Sequence, residues 1–107
     1  MSEQKKTRRQ MLEQLVANKP DDAFARYGLA MECMNNGEPA GAEEHFRALL
    51  ERNTNYVPGY LMYAQFLVRQ SRGAEAKKIL LSGMEAATKQ GDQHARSEME
   101  GLFAQIS

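Results

Sequence analysis

The sequence predicts an all-α domain built from antiparallel helix pairs stacked as a solenoid, and three observations carry that expectation. First, Ala occurs 14 times, while Val, Ile and Thr number three, two and three. Ala and unbranched side chains lose little freedom in a helix, whereas β-branched ones favour strands. Second, apolar residues recur three and four apart, with no sustained apolar/polar alternation. Third, offsetting the chain against itself by 34 residues pairs Ala30 with Ala64, Ala40 with Ala74, Ala42 with Ala76, Glu51 with Glu85 and Thr54 with Thr88. Phe46 then falls on Leu80, Leu29 on Tyr63 and Cys33 on Leu67. Small residues at a fixed spacing mark close helix approaches, and a helix pair repeated at this period is the signature of a helical solenoid.

Turn and cap residues divide the chain into six helices. The first spans about Thr7 to Asn18 with Met11, Leu12, Leu15 and Val16 as its apolar stripe, and Lys19-Pro20 ends it. Asp21 and Asp22 offer N-caps to a second helix, closed near Met34 by Asn35-Asn36-Gly37. Pro39 suits the first turn of the third, which carries Ala42, Phe46, Leu49 and Leu50 to near Asn53. The fourth starts around Pro58, carries Tyr60, Tyr63, Ala64 and Leu67, and ends near Ser71. The fifth, from Ala74 to about Lys89, holds Ala76, Ile79, Leu80 and Met84. Gly91-Asp92 precedes a last helix whose charges alternate with Met99, Leu102, Phe103 and Ile106, as expected of a cap with one buried face. Connections this short make neighbouring helices antiparallel.

The small-residue pattern resembles the tetratricopeptide repeat (TPR) family. With Ala23 as the first residue of a unit, Leu29-Ala30 matches the Leu-Gly pair of helix A, Gly37 the turn glycine, and Ala42 and Phe46 the small and aromatic positions of helix B. Val57 begins a second unit with Tyr60, Ala64, Ala76, Leu80 and Gly83 at the matching positions, and Pro20 takes the closing proline of a preceding half unit. Arg26 stands at the first aromatic position, Cys33 at a tyrosine, Leu49 at a small residue, Ser71 at the turn glycine, and Thr54 and Thr88 at the closing prolines. The resemblance implies a right-handed superhelix within one domain, 7–107: a half unit 7–20, repeats 23–56 and 57–90, and a cap helix 92–106, preceded by a flexible basic tail 1–6.

A chain of 107 residues makes one domain that removes roughly 65% of its unfolded surface from water. The 14 Lys and Arg balance 14 Asp and Glu, which argues against a charge-driven grip on nucleic acid. That zero is a difference of opposites, because residues 1–10 carry +3 (Lys5, Lys6, Arg8 and Arg9 against one acid) and the remainder −3. The basic cluster reads as a solvated tail entering the first helix, and no interleaved aromatics offer bases a stacking surface. A single Cys makes no internal disulfide. No apolar run approaches a membrane span, and no hydrophobic stretch follows MSEQKKTRRQ as in a signal peptide. The expected location is cytoplasmic.

Chemistry-bearing residues are sparse. His45 and His94 have no metal-ligand partners at motif spacing, so no metal or other cofactor is expected; His45 is expected to face solvent and His94 to lie at the surface of the cap helix. Cys33 reads as a small buried apolar residue rather than a reactive thiol. Glu43 and Glu44 are sequential and diverge on a helix. With no phosphate loop, nucleophile elbow or zinc signature, the expectation is a non-enzymatic protein.

In the TPR family the A helices line a concave groove that holds a peptide or a helix. Carried over, the groove positions are Phe24, Tyr27, Met31, Met34 and Asn35 in the first unit, and Pro58, Leu61, Gln65, Val68 and Arg69 in the second. Phe24, Tyr27, Met31 and Met34 follow helical spacing and form a stripe separate from core-facing Leu29, Ala30 and Cys33. Either this second stripe broadens the core or is covered by the N-terminal segment, or it is an exposed patch that binds a partner. Family members that grip a chaperone's C-terminal carboxylate use Lys, Asn and Arg in the groove. Here Tyr27, Met31 and Met62 stand at three of those positions, so that clamp is not expected. The sequence thus predicts a module that binds a peptide or helix of another protein in an apolar groove, or a scaffold subunit that self-associates through the same stripe.

Overall fold

The computed structural model describes residues 6–106, so residues 1–5 of the expected basic tail lie outside the described residues. Six helices run α1 (Arg8–Asn18), α2 (Ala23–Asn35), α3 (Pro39–Arg52), α4 (Val57–Arg69), α5 (Gly73–Gln90) and α6 (Gln93–Gln105), with no strand among the described residues. They fall into two compact units, one through Arg52 and one from Asn53.

In the first unit, Thr7 opens α1 with a capping box. The Gln10 N–H donates to Thr7 Oγ1 at 3.1 Å, and the Thr7 N–H donates back to Gln10 Oε1 at 2.9 Å. Asp22 caps α2 by accepting the Ala25 N–H at 3.1 Å. Helix α1 packs on α2 through Leu12, which is buried with Ala25 and Leu29 and flanked by Val16. The approach is close because α2 has a glycine there: a Cβ on Gly28 would lie 3.0 Å from Leu12 Cδ1. A turn away, Arg8 faces Glu32 at 3.9 Å, so rising numbers on α1 meet falling numbers on α2 and the pair is antiparallel. Helix α3 packs on another face of α2. There Ala30, Cys33, Ala42, Phe46 and Leu49 are buried, and a Cβ on Gly41 would come within 3.0 Å of Cys33 Sγ.

The expected stripe on α1 is wider than the one it buries. Met11 and Leu15 are 49% and 43% exposed, and only Leu12, with half-buried Val16, packs inward. The solvated basic cluster is also corrected. Arg9 forms a bidentate pair with Glu38, Nη1 to Oε2 at 2.6 Å and Nη2 to Oε1 at 2.9 Å, and Nη2 lies 3.5 Å from Cys33 Sγ. A planar fork matched to a carboxylate is the strong form of the ion pair, and here it ties α1 to the start of α3.

In the second unit, α4 and α5 bury Tyr60, Tyr63, Ala64, Phe66 and Leu67 against Ala76, Leu80, Met84 and Ala87. Tyr60 takes its hydroxyl to the Thr54 carbonyl at 2.6 Å, so its ring is buried without stranding the O–H. Helix α6 then lies antiparallel on α5. Its Met99 is fully buried, and a Cβ on Gly83 would stand 2.5 Å from both Met99 Sδ and Tyr60 Cβ. Along the same seam, Lys77 Nζ sits 5.3 Å from the Phe103 ring centre, and Ile106 closes over Gly73. Arg96 completes it by donating to the Met84 carbonyl at 3.3 Å and to Thr88 Oγ1.

Three helices end alike. The Glu38, Arg72 and Asp92 N–H groups reach back five residues to the carbonyls of Cys33, Leu67 and Ala87 at 2.9, 2.9 and 2.8 Å. This is the Schellman closure, which needs a left-handed residue just before the donor. Gly37 and Gly91 supply it with φ of 70° and 71°, while Ser71 adopts φ 60° in the place of a glycine.

Candidate protein-binding face

Helix α2 is divided into three faces. Ala25, Gly28, Leu29 and Glu32 meet α1. Ala30 and Cys33 are buried on the α3 side, where Gly41 approaches Cys33. The third face carries Phe24, Tyr27, Met31, Met34 and Asn35. Phe24 is 66% exposed, Tyr27, Met31 and Met34 are half-buried, and Asn35 is exposed. The first expectation for this stripe, coverage by the N-terminal segment, does not fit α1, which takes a different face. The stripe nevertheless keeps apolar surface in contact with water, which a helix serving only as core has no reason to do.

The second unit presents the matching face of α4. Leu61 and Gln65 are half-buried, Val68 is 39% exposed, and Pro58 and Arg69 are exposed. The other faces of α4 bury Val57, Tyr60, Tyr63, Ala64, Phe66 and Leu67, with the Tyr63 and Phe66 rings stacked 6.3 Å apart. Each set of predicted residues therefore shares one helix face within its own unit. The composition differs: the α2 face is aromatic and Met-rich, and the α4 face mixes aliphatic and polar groups. Met side chains adapt to irregular apolar ligands, and Tyr and Phe supply large contact areas.

The titratable residues take other roles. Cys33 is buried, and burial, only partly offset by Arg9, pushes its thiol upward and away from reactivity. His45 was expected in solvent, but it is half-buried, and its Nδ1 is buried without a hydrogen-bond partner among the described residues. Arg26 Nε is orphaned likewise, although its Nη2 donates to the Pro20 carbonyl at 3.0 Å. Burial, followed by the nearby Arg26 charge, holds the His45 imidazole below its ordinary value and so keeps it neutral. His94 lies at the surface in the first turn of α6, with Nε2 3.2 Å from Glu98. Among the described residues no group of three or more His, Cys, Asp or Glu is placed to hold a metal ion, and no helix is long and apolar enough to cross a membrane.

Sequence reasoning missed Met11 and Leu15 as surface residues and Arg9 as a structural one. Apolar spacing marks both pairs of α1 residues alike. The Arg9–Glu38 pair, 29 residues apart, has no local signal.

Comparison with known proteins places these faces in context. Residues 34–97 match the family model described as tetratricopeptide repeat. A TPR repeat-containing protein of Pseudomonas aeruginosa is 30% identical over 90 residues, spanning 82% of this chain and 84% of the relative. The solution structure of a tetratricopeptide repeat domain protein from Salinibacter ruber is 28% identical with a TM-score of 0.78, covering 83% of this chain and 90% of that one. A second solution structure, of a protein from Bordetella parapertussis, has the same TM-score of 0.78 at 24% identity and covers 95% of this chain and 89% of that one, a likeness of fold. The period, the helix pairs and these matches agree, and the chain belongs to the tetratricopeptide repeat family.

Proposed function

We propose that this protein is a non-enzymatic interaction module that binds a peptide or helix of another protein along the apolar stripe of α2, with the corresponding face of α4 contributing to the same groove. TPR proteins generally mediate protein–protein interaction, and membership of the family supports that much. The observation that carries the finer reading is the α2 stripe. Phe24 is 66% exposed on a helix whose other two faces are already packed, in the positions the family uses for ligands. On this reading Phe24, Tyr27 and Met31 supply most of the affinity by being buried on binding. Asn35, Gln65 and Arg69 fix the orientation of the ligand, and Met34, Leu61 and Val68 complete the apolar lining.

The test is Met31→Glu. Partner capture should be lost while the helical circular-dichroism signal stays unchanged, and retained capture would overturn the assignment. Light scattering at several concentrations checks the alternative, in which the same stripe joins copies of this chain. A monomer throughout excludes the obligate homo-oligomer.

A further inference from the structure

The exposed apolar side chains of the first unit lie on one edge. On α1, Arg8, Met11 and Leu15 are spaced three and four apart and share one side of the helix. Arg9, about 100° round the helix from Arg8, reaches in another direction to Glu38 and Cys33, toward α3. The Met11–Leu15 edge therefore lies on the side of α1 away from α3. On α2, Phe24 and Met31 occupy the edge left when Ala25, Gly28 and Glu32 turn to α1 and Ala30 and Cys33 turn to α3. The helices are antiparallel, with Leu12 level with Gly28 and Arg8 with Glu32, so Leu15 lies level with the start of α2, where Phe24 stands. Met11, Leu15, Phe24 and Met31 form a strip two helices wide.

The charges around this strip have one sign left over. Arg8, 62% exposed, stands at one end, and Lys19 at the C-terminus of α1 stands at the other. The nearby carboxylates are already engaged. Asp22 caps α2, Asp21 pairs with Arg52 at 2.8 Å, Glu13 faces Arg9 at 3.7 Å, and Glu32 is the long-range partner of Arg8.

We infer that this edge docks an amphipathic helix of another protein whose apolar stripe is flanked by acidic residues. The contact extends the α2 stripe onto α1 and rests on the reading of that stripe as a binding surface. Burial of Met11, Leu15 and Phe24 anchors the ligand, and the basic ends set its register and direction.

The test is an NMR titration of the isotope-labelled full chain with an amphipathic helical peptide of about five turns, carrying an apolar stripe and Glu at both ends. A matched peptide carrying Lys at those ends is the control. The expected result is amide shifts at Met11, Leu15, Phe24 and Met31, and binding roughly tenfold weaker for the Lys peptide at low salt. Leu15→Glu should abolish binding, and Arg8→Glu with Lys19→Glu should reverse the preference between the peptides. Equal binding of the two peptides, shifts elsewhere or no shifts at all would overturn the inference. If Met31→Glu releases the peptide but Leu15→Glu does not, the α2 stripe stands and its extension onto α1 fails. If both variants still bind, both readings fail. Concentration-dependent shifts of the same residues without peptide would instead put a second copy on this edge. Adsorption of the chain to phosphatidylglycerol vesicles, lost in Leu15→Glu, would put a membrane surface there.

Discussion

In the second unit the terminal helix α6 lays Met99 into the space left by Gly83, against Tyr60, and Lys77 covers Phe103 along the same seam. In the first unit the terminal helix α1 brings one buried side chain, Leu12, and is otherwise held by the Arg9–Glu38 fork. One end is closed by apolar packing. The other is held by a directional polar contact that spends little of its apolar surface, which is why Met11 and Leu15 remain in water. A repeat end that is only capped shows what α6 shows, whereas an end that also offers a surface shows what α1 shows.

This contrast is broken most severely at Met99. Met99→Ala removes a fully buried side chain where three helices meet, and should lower stability by about 3 kcal/mol, read as a shift of the urea midpoint with loss of amide protection throughout α6. Gly83→Ala attacks the same place by overpacking and should cost about 2 kcal/mol. Leu12→Ala should cost less, about 2 kcal/mol or below, because a helix of 11 residues resting on one neighbour can fray instead of holding a cavity. Faster hydrogen exchange confined to α1 would show this. Arg9→Ala should loosen α1 in the same confined way. If Arg9→Ala instead destabilises α3 and leaves α1 protected, the fork is not what holds the N-terminal helix.

The two helix-closing turns, 34 residues apart, sharpen the comparison at smaller scale. Both are left-handed, but only one is glycine: Gly37 has φ 70° and Ser71 has φ 60°. Ser71→Gly should raise stability by about 1 kcal/mol, and Gly37→Ala should lower it by about as much. Thermal melts of the two variants check both signs.

The smallest expected effect is acid sensitivity centred on the first unit. The folded state holds the His45 imidazole below its ordinary value near 6.5, so the unfolded chain binds more protons there. The stability contributed is complete above that value and is lost as pH falls below it toward the depressed folded value. His45→Leu should flatten this part of the profile, measured as the urea midpoint between pH 7 and pH 5 (about one pH unit either side of the ordinary imidazole range). Further down, Glu38, held below the usual carboxylate range chiefly by its hydrogen bond to Arg9, loses its charge and releases the fork.

Much of this was legible in the sequence. The six helices follow from Thr7, Asp22, Gly37, Pro39, Pro58 and Gly91, because caps and left-handed turns have local chemistry that residue types reveal. The buried small residues Ala30, Ala42, Ala64 and Ala76 follow from the period. The face of α2 that carries Phe24 and Met31 was legible because the other faces use residues too small to be mistaken for it. What was not legible depends on distance. Met11 and Leu12 differ in nothing the sequence displays, and only the position of α2 decides which one is covered. His45 adjoins the acidic Glu44 yet turns inward beside Arg26. The left-handed turn at Ser71 is formed by the helices on either side rather than by its own residue type.

The most direct measurement of the central claim compares two exposed apolar residues, one in each unit. Phe24 is 66% exposed on the α2 stripe, and Leu81 is 56% exposed on α5. Each is changed to Asp, and partner capture from a native lysate is measured beside circular dichroism. The account predicts that Phe24→Asp loses the captured protein while Leu81→Asp keeps it, with both variants fully helical. Capture that survives Phe24→Asp and is lost in Leu81→Asp would contradict it.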